Sequence, residues 1–216
     1  MGTAPRRHRG KGSGVTLDQK RARIFGVLYL LTFITSIPAL ALYEPALRHP
    51  VAFIAGAGNV NKIYLGALLE LLLIIANIGT AVVIVPIMRR QFEDLSIGYV
   101  TARIVECTFI LTLAAIKDWT FILGPGWVVG WGNGLILGYM MYRTRLVPRA
   151  WTWLGLVGGP LIIISGTIVM FRGGHPSGSL QGVATIPEFL WELFLGVYCT
   201  TWGFKRDAPI LSGNVR

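Results

Sequence analysis

The stretch Ile63–Arg90, IYLGALLELLLIIANIGTAVVIVPIMRR, decides the fold. From Ile63 to Met88 it carries a single charge, Glu70, and it stops at the pair Arg89 and Arg90. A helix rises about 1.5 Å per residue, so about 20 such residues cross a hydrocarbon core about 30 Å thick. The run is therefore read as a membrane span ending at a basic, water-facing stop.

Similar runs lie on either side. The first is Ile24 to Tyr43, in which Pro38 is tolerable because neighbouring helices satisfy freed backbone groups. The third runs from Ile97 to Ile116, the fourth from Trp119 to Tyr142 and the fifth from Trp151 to Phe171. The sixth is expected from Pro187, a residue suited to a first helical turn, to Phe204. These runs predict an all-α, polytopic transmembrane helical bundle of about six spans. Residues 1–23 read as a disordered basic tail, 24–204 as the transmembrane domain and 205–216 as a short cytoplasmic tail. Ala39-Leu40-Ala41 resembles a signal-peptidase site, so cleavage after Ala41 is an alternative, although the first run is longer than the usual 7–15 residues of a signal peptide.

Composition agrees. Of the 216 residues 53% are hydrophobic and 14% charged, whereas soluble domains are near one quarter charged. The net charge of +10 does not point to nucleic acid, because no basic stripe interleaves with exposed aromatics. It is a topology signal instead. With the N-terminus inside, fifteen Lys and Arg fall on the cytoplasmic side and four, Arg48, Lys62, Lys117 and Arg172, on the other; Arg103 lies within a span. The expected location is the cell (plasma) membrane, multi-pass, with both termini cytoplasmic. The two cysteines, Cys107 and Cys199, stand alone in apolar runs and read as small core residues.

Ionisable residues inside the spans carry the functional reading. Glu70, Arg103, Glu106 and Glu192 each cost at least about 2.5–3.5 kcal/mol at a helix centre, so they are expected to face the interior and find partners. Their estimated depths place them near the membrane middle, with Asn77 and Asn133 on the inner side of one buried polar cluster. Three carboxylates against one guanidinium leave an imbalance that a low-dielectric site relieves by protonating a glutamate. Such a cluster suits a small-solute or proton-linked carrier, and equally a polar lock between helices in a structural or regulatory membrane partner. Asp118, Trp119 and Glu188 are candidates for the outer face. An intramembrane hydrolase using Asp118, Glu188 and His175 is a weaker alternative.

Gly126, Gly130, Gly134 and Gly138 repeat every four residues and leave one helix face nearly without side chains. That face suits close helix packing within the chain or, less simply, an oligomer interface. Gly124-Pro125-Gly126 marks a junction or break at the start of the same helix. His8, His49 and His175 lie far apart in the tail and loops, with no HExxH pairing, nucleophile elbow, Walker loop or dinucleotide fingerprint. No metal or cofactor is expected. The expected partners are the lipid bilayer and a small molecule or proton, not nucleic acid.

Several motifs in order give a family resemblance. They are Leu68-Leu69-Glu70 followed by Asn77-Ile78-Gly79-Thr80-Ala81; Gly98-Tyr99 with Arg103 and Glu106; Asp118-Trp119-Thr120-Phe121-Ile122-Leu123-Gly124-Pro125-Gly126; and Tyr142-Arg143-Thr144-Arg145-Leu146-Val147-Pro148-Arg149. Leu154-Gly155, Gly158-Gly159-Pro160 and Pro187-Glu188-Phe189 to Trp191-Glu192 extend them. Together they resemble the bacterial family called domain of unknown function 4386. The resemblance implies a compact six-helix membrane protein and supplies no substrate. One spacing departs from the family pattern: the eleven residues between Glu106 and Asp118 are fewer than the family carries.

Overall fold

The computed structural model describes residues 16–48, 58–112, 126–172 and 178–212, with the side chains of 44–48, 112 and 172 left aside. Six helices account for most of them. They are α1 (Leu17–Arg48), α2 (Val60–Met88), α3 (Glu93–Thr112), α4, α5 (Arg149–Arg172) and α6 (Ser179–Thr201). The fourth is a wide π-helix over Gly130–Leu137 that continues as an α-helix over Gly138–Thr144.

Helix ends follow local chemistry that hydropathy alone does not show. α1 begins at Leu17, so the expected disordered tail through Arg23 is too long. Thr16 Oγ1 accepts from the Gln19 backbone N–H at 3.3 Å, a Thr-x-x-Gln start of the capping-box kind. Ala22 and Phe25 then bury one face of the first turns. α2 is capped by the Asn59 side chain and ends where expected, at Arg89. The sixth helix corrects the expected start at Pro187. It begins at Ser179 and carries Pro187 in its interior, where proline leaves a carbonyl one turn back without its usual donor. Buried Gln181, which accepts from Ser165 Oγ at 2.7 Å, anchors the extra turns to α5.

The helices form a closed ring. Each of α1 to α5 packs against the next, and α6 returns to α1. The start of α1, the turns between α2 and α3 and between α4 and α5, and the exit of α6 meet at one end, as an even number of crossings requires. There Gln19 Nε2 donates to the Phe204 carbonyl (2.6 Å) and the Lys205 N–H to the Leu146 carbonyl (2.8 Å). Arg90 donates to both carboxylate oxygens of Asp18 at 2.8 and 2.9 Å, which pushes its pKa above the ordinary value. The segment after α6 is no free tail through residue 212: Ala208 and Ile210 are buried beside Phe25, Ile84, Met88, Leu146 and Phe204. Gly203, at φ +73, makes the turn that directs it inward, since this backbone region is strained for residues with a Cβ.

Four helices, α1, α2, α5 and α6, are long and apolar enough to cross a membrane. Only 33–44% of each crossing window is buried, so most of its apolar side chains point outward. Leu68, Leu71, Ile75 and Val82 on α2, and Val27 and Ile34 on α1, are all exposed. An apolar belt of this kind is a lipid-facing surface and would be a severe liability in water. The chain is a polytopic helical membrane protein.

The glycine face of α4 is used inside the chain. A Cβ on Gly130 would lie 2.7 Å from the Gly159 carbonyl oxygen, and one on Gly134 would lie 2.6 Å from the Gly159 Cα. The facing glycines of α4 and α5 let the two backbones touch. This is the intramolecular packing expected of the four-residue repeat.

Candidate functional site

Away from the end where the described chain enters and leaves, the ring opens around a cavity of about 270 Å³. Its polar lining comes from α1 (Thr32, Ser36), α2 (Glu70, Asn77), α3 (Arg103, Glu106) and α6 (Thr185, Glu188, Glu192). Phe33, Ile37 and Leu40 of α1 and Phe189 of α6 supply an apolar wall, with Phe33 and Phe189 in edge-on contact at 5.2 Å between ring centroids.

Arg103 anchors the polar floor. It is 2% exposed and donates to Glu106 Oε2 at 2.7 Å. Its partner thus lies one turn along its own helix, not on another helix as an interhelical lock would require. Glu106 Oε1 in turn accepts from Asn77 Nδ2 at 3.0 Å, which ties α3 to α2. Both carboxylate oxygens of Glu106 are used, as a buried ion pair needs if its desolvation is to be offset.

A directed hydrogen-bond chain leaves the other side of Arg103. Arg103 Nε donates to the Tyr99 hydroxyl (3.2 Å), and the hydroxyls of Tyr99 and Tyr29 lie 3.1 Å apart. Tyr29 donates to Asn133 Oδ1 (3.2 Å), and Asn133 Nδ2 donates to Glu192 Oε1. Because the single proton of Tyr29 is committed to Asn133, Tyr99 must donate to Tyr29, and every link points toward Glu192. Trp191 Nε1 fixes the Asn133 backbone by donating to its carbonyl at 3.0 Å. Arg103 also stands over the Tyr29 and Tyr99 rings at 5.3 and 5.7 Å, close enough for cation–π attraction. This network connects α3, α1, α4 and α6.

Two groups stand outside it. Glu188 is 2% exposed and borders the cavity, but both of its carboxylate oxygens are buried away from the open space and have no hydrogen-bond partner among the described residues. Its Oε2 lies 3.0 Å from where a Cβ on Gly134 or Gly158 would be, so the glycine notch between α4 and α5 makes room for the carboxylate without offering a donor. Arg103 Nη2 is likewise buried and unpartnered among the described residues.

The expected cluster is therefore largely assembled. Glu70, Asn77, Arg103, Glu106 and Glu192 line one cavity, and Asn133 stands just behind Glu192. Glu70 keeps its own partner, accepting from the Tyr43 hydroxyl at 3.0 Å. Glu188, expected at the outer face, borders the cavity; it lies one turn from Glu192 on a helix that starts eight residues earlier than expected. Asp118, Trp119 and His175 lie outside the described residues. Sequence reasoning missed Tyr29 and Tyr99. The spacing of Tyr99 four residues before Arg103 was a signal, since such pairs share a helix face. Among the described residues no three His, Cys, Asp or Glu side chains converge as a metal cage would need.

Helices with lipid-facing apolar surfaces, closed into a ring around a polar interior, define the class: an α-helical integral membrane protein with an acidic internal cavity. The chain belongs to the family described as domain of unknown function (DUF4386), whose model matches residues 24–112 and 109–203. The two matched pieces overlap at residues 109–112, at the C-terminal end of α3. No curated protein and no solved structure matches the chain.

Proposed function

We propose that the protein is a small-solute carrier linked to proton movement, with the cavity as its binding site. The observation that carries this reading is a cavity lined, among the described residues, by four carboxyl-bearing side chains, Glu70, Glu106, Glu188 and Glu192, and one cation, Arg103. Arg103 is matched by Glu106, which leaves Glu70, Glu188 and Glu192 without a cation among the lining residues. A low-dielectric site with surplus carboxyl groups gains or loses protons as its contents change. Lys and Arg asymmetry supports a plasma-membrane orientation with the gathered chain ends in the cytoplasm, and hence a cavity on the outer side.

A second reading has its own support. The chain from Arg103 through Tyr99, Tyr29 and Asn133 to Glu192 is satisfied at every link and would lock four helices in a scaffold that carries nothing. Proteoliposomes containing a pH-sensitive dye separate the two. A panel of small solutes added outside should include one that moves protons across wild-type liposomes and fails with Glu192→Gln. Proton movement with no solute, while both proteins remain folded, would favour the scaffold. Reporter fusions after Arg90, Arg149 and Arg206 should behave as cytoplasmic, and an external signal at Arg149 would overturn the orientation.

A further inference from the structure

The end of α4 and the start of α5 carry three exposed arginines, Arg143, Arg145 and Arg149, and none of them pairs with a carboxylate among the described residues. The turn between α2 and α3 at the same end differs, since Arg90 there places its fork on Asp18. Arg149 is held in another way. Its Nε donates to the Tyr142 carbonyl at 3.1 Å, and its guanidinium lies over the Tyr142 ring, 4.7 Å from the centroid. That ring is itself set edge-on against Trp153, with 5.8 Å between centroids. Of the five N–H donors of Arg149 one is spent on Tyr142, and those on Nη1 and Nη2 meet no acceptor among the described residues. A rigid fork of this kind, fixed before any ligand arrives, suits a phosphate or carboxylate oxyanion.

The surface that continues from Arg149 along α5 says which oxyanion. One turn on, Trp153 is 55% exposed and its indole N–H meets no acceptor among the described residues. Beyond it Val157, Leu161 and Ile164 are exposed as well, at spacings that keep them on one side of the helix. With a rise of about 1.5 Å per residue, Trp153 stands about 6 Å below Arg149, and the apolar stripe reaches about 16 Å further, to Ile164. That is the depth of one leaflet, half of a hydrocarbon core about 30 Å thick. A cationic fork, an amphipathic ring with a spare donor and an apolar track follow one another in the order of phosphate, ester and acyl chain in a phospholipid.

We infer that the lipid-facing side of the α4–α5 pair binds one anionic glycerophospholipid, with its phosphate on the Arg149 fork, an ester carbonyl level with the Trp153 N–H and an acyl chain along Val157, Leu161 and Ile164. Arg143, laid against Tyr139 by a hydrogen bond of 2.9 Å and a cation–π contact at 5.7 Å, adds positive field at the same turn. A zwitterionic lipid is the weaker ligand, because its ammonium group brings positive charge to arginines that lack a paired carboxylate. A soluble phosphate ester is weaker too, since it leaves the apolar track to other lipids. None of these residues lines the cavity, so the inference stands apart from the carrier reading.

The test uses the full chain in detergent micelles. It is titrated with phosphatidylglycerol, with phosphatidylcholine of the same acyl chains and with soluble glycerophosphoglycerol, and bound ligand is counted by native mass spectrometry. Phosphatidylglycerol should bind wild type at least about tenfold more tightly than either of the others, the ratio expected of a charge-assisted hydrogen bond. Arg149→Gln should lose that preference. Arg206→Gln removes the same charge at the same end from an exposed residue with no ring contact, and should keep it. In wild-type nanodiscs, which need no variant to fold, phosphatidylglycerol carrying a diazirine in its acyl chain should label residues 153–164 in preference to the exposed Ile75 and Val82 of α2. Equal binding of the two lipids, a loss in Arg206→Gln as large as in Arg149→Gln, or labelling spread evenly over α2 and α5 would overturn the inference and leave only a diffuse positive surface. Binding of glycerophosphoglycerol as tight as that of the lipid would overturn it in favour of a free phosphate ester.

Discussion

At the end of the bundle where the described chain enters and leaves, Phe25, Ile84, Met88, Met140, Leu146, Phe204 and Ile210 close into an apolar core. Toward the other end Glu70, Arg103, Glu106, Glu188 and Glu192 surround a cavity. Both regions are built from the same helices, and the Tyr29, Tyr99, Asn133 and Trp191 layer separates them. In a bilayer, unlike in water, apolar burial gives little driving force between helices, because lipid tails are as apolar as leucine. The closed end is therefore held by shape and backbone contact. The cavity end is held by charge and directed hydrogen bonds, which are strong only when complete.

The comparison is broken most severely at Arg103. Arg103→Ala should destabilise the fold by about 3–5 kcal/mol, because Glu106 keeps its burial and loses its cation. Arg103→Lys should fall between, since an ammonium cannot serve Glu106 and Tyr99 with the same planar fork. Unfolding in mixed detergent micelles measures both. Wild-type stability for Arg103→Ala would mean that packing, not charge, holds the cavity end.

Phe25→Ala probes the closed end. Its ring meets Tyr29 edge-on at 4.9 Å and is fully buried. The expected loss is about 2–3 kcal/mol, below the about 3–5 kcal/mol of a water-soluble core, because the transfer component is reduced in lipid. A loss as large as that of Arg103→Ala in the same micelles would erase the distinction between the two regions.

Arg145, beyond the end of α4, has φ +57 and ψ +26, the left-handed region that favours glycine. Arg145→Gly should raise stability by about 1 kcal/mol. Its topology should be unchanged in reporter fusions, because Arg143 and Arg149 remain on the same side. No gain in the melting temperature would indicate that the arginine side chain contributes as much as its backbone costs.

The smallest effect is expected at Glu188. Because its carboxylate has no hydrogen-bond partner among the described residues, Glu188→Gln should leave stability within about 1 kcal/mol of wild type. The same change at Glu106, whose two oxygens serve Asn77 and Arg103, should cost more. Equal losses at the two positions, measured by detergent unfolding, would show that Glu188 has a structural partner after all.

Much of this was legible before the structure. The apolar runs determined the class, the Arg89-Arg90 stop determined where α2 ends, and the four-residue glycine repeat determined a close helix contact, because each depends on chemistry local to one helix. The cost of intramembrane charge also marked Glu70, Arg103, Glu106 and Glu192 as interior residues. The starts of α1 and α6 were misjudged because hydropathy does not register a Thr16 cap or a Gln181 anchored by Ser165.

Which helices are neighbours was beyond the sequence, since ring order is a matter of packing between segments far apart in the chain. Tertiary structure alone decided that Arg103 pairs along its own helix, that Tyr29 and Tyr99 carry the network to Glu192, and that the Glu188 carboxylate is buried in the glycine notch between α4 and α5. Depth along a helix can be counted from the sequence, but the direction in which a side chain faces its neighbours depends on all six helices at once.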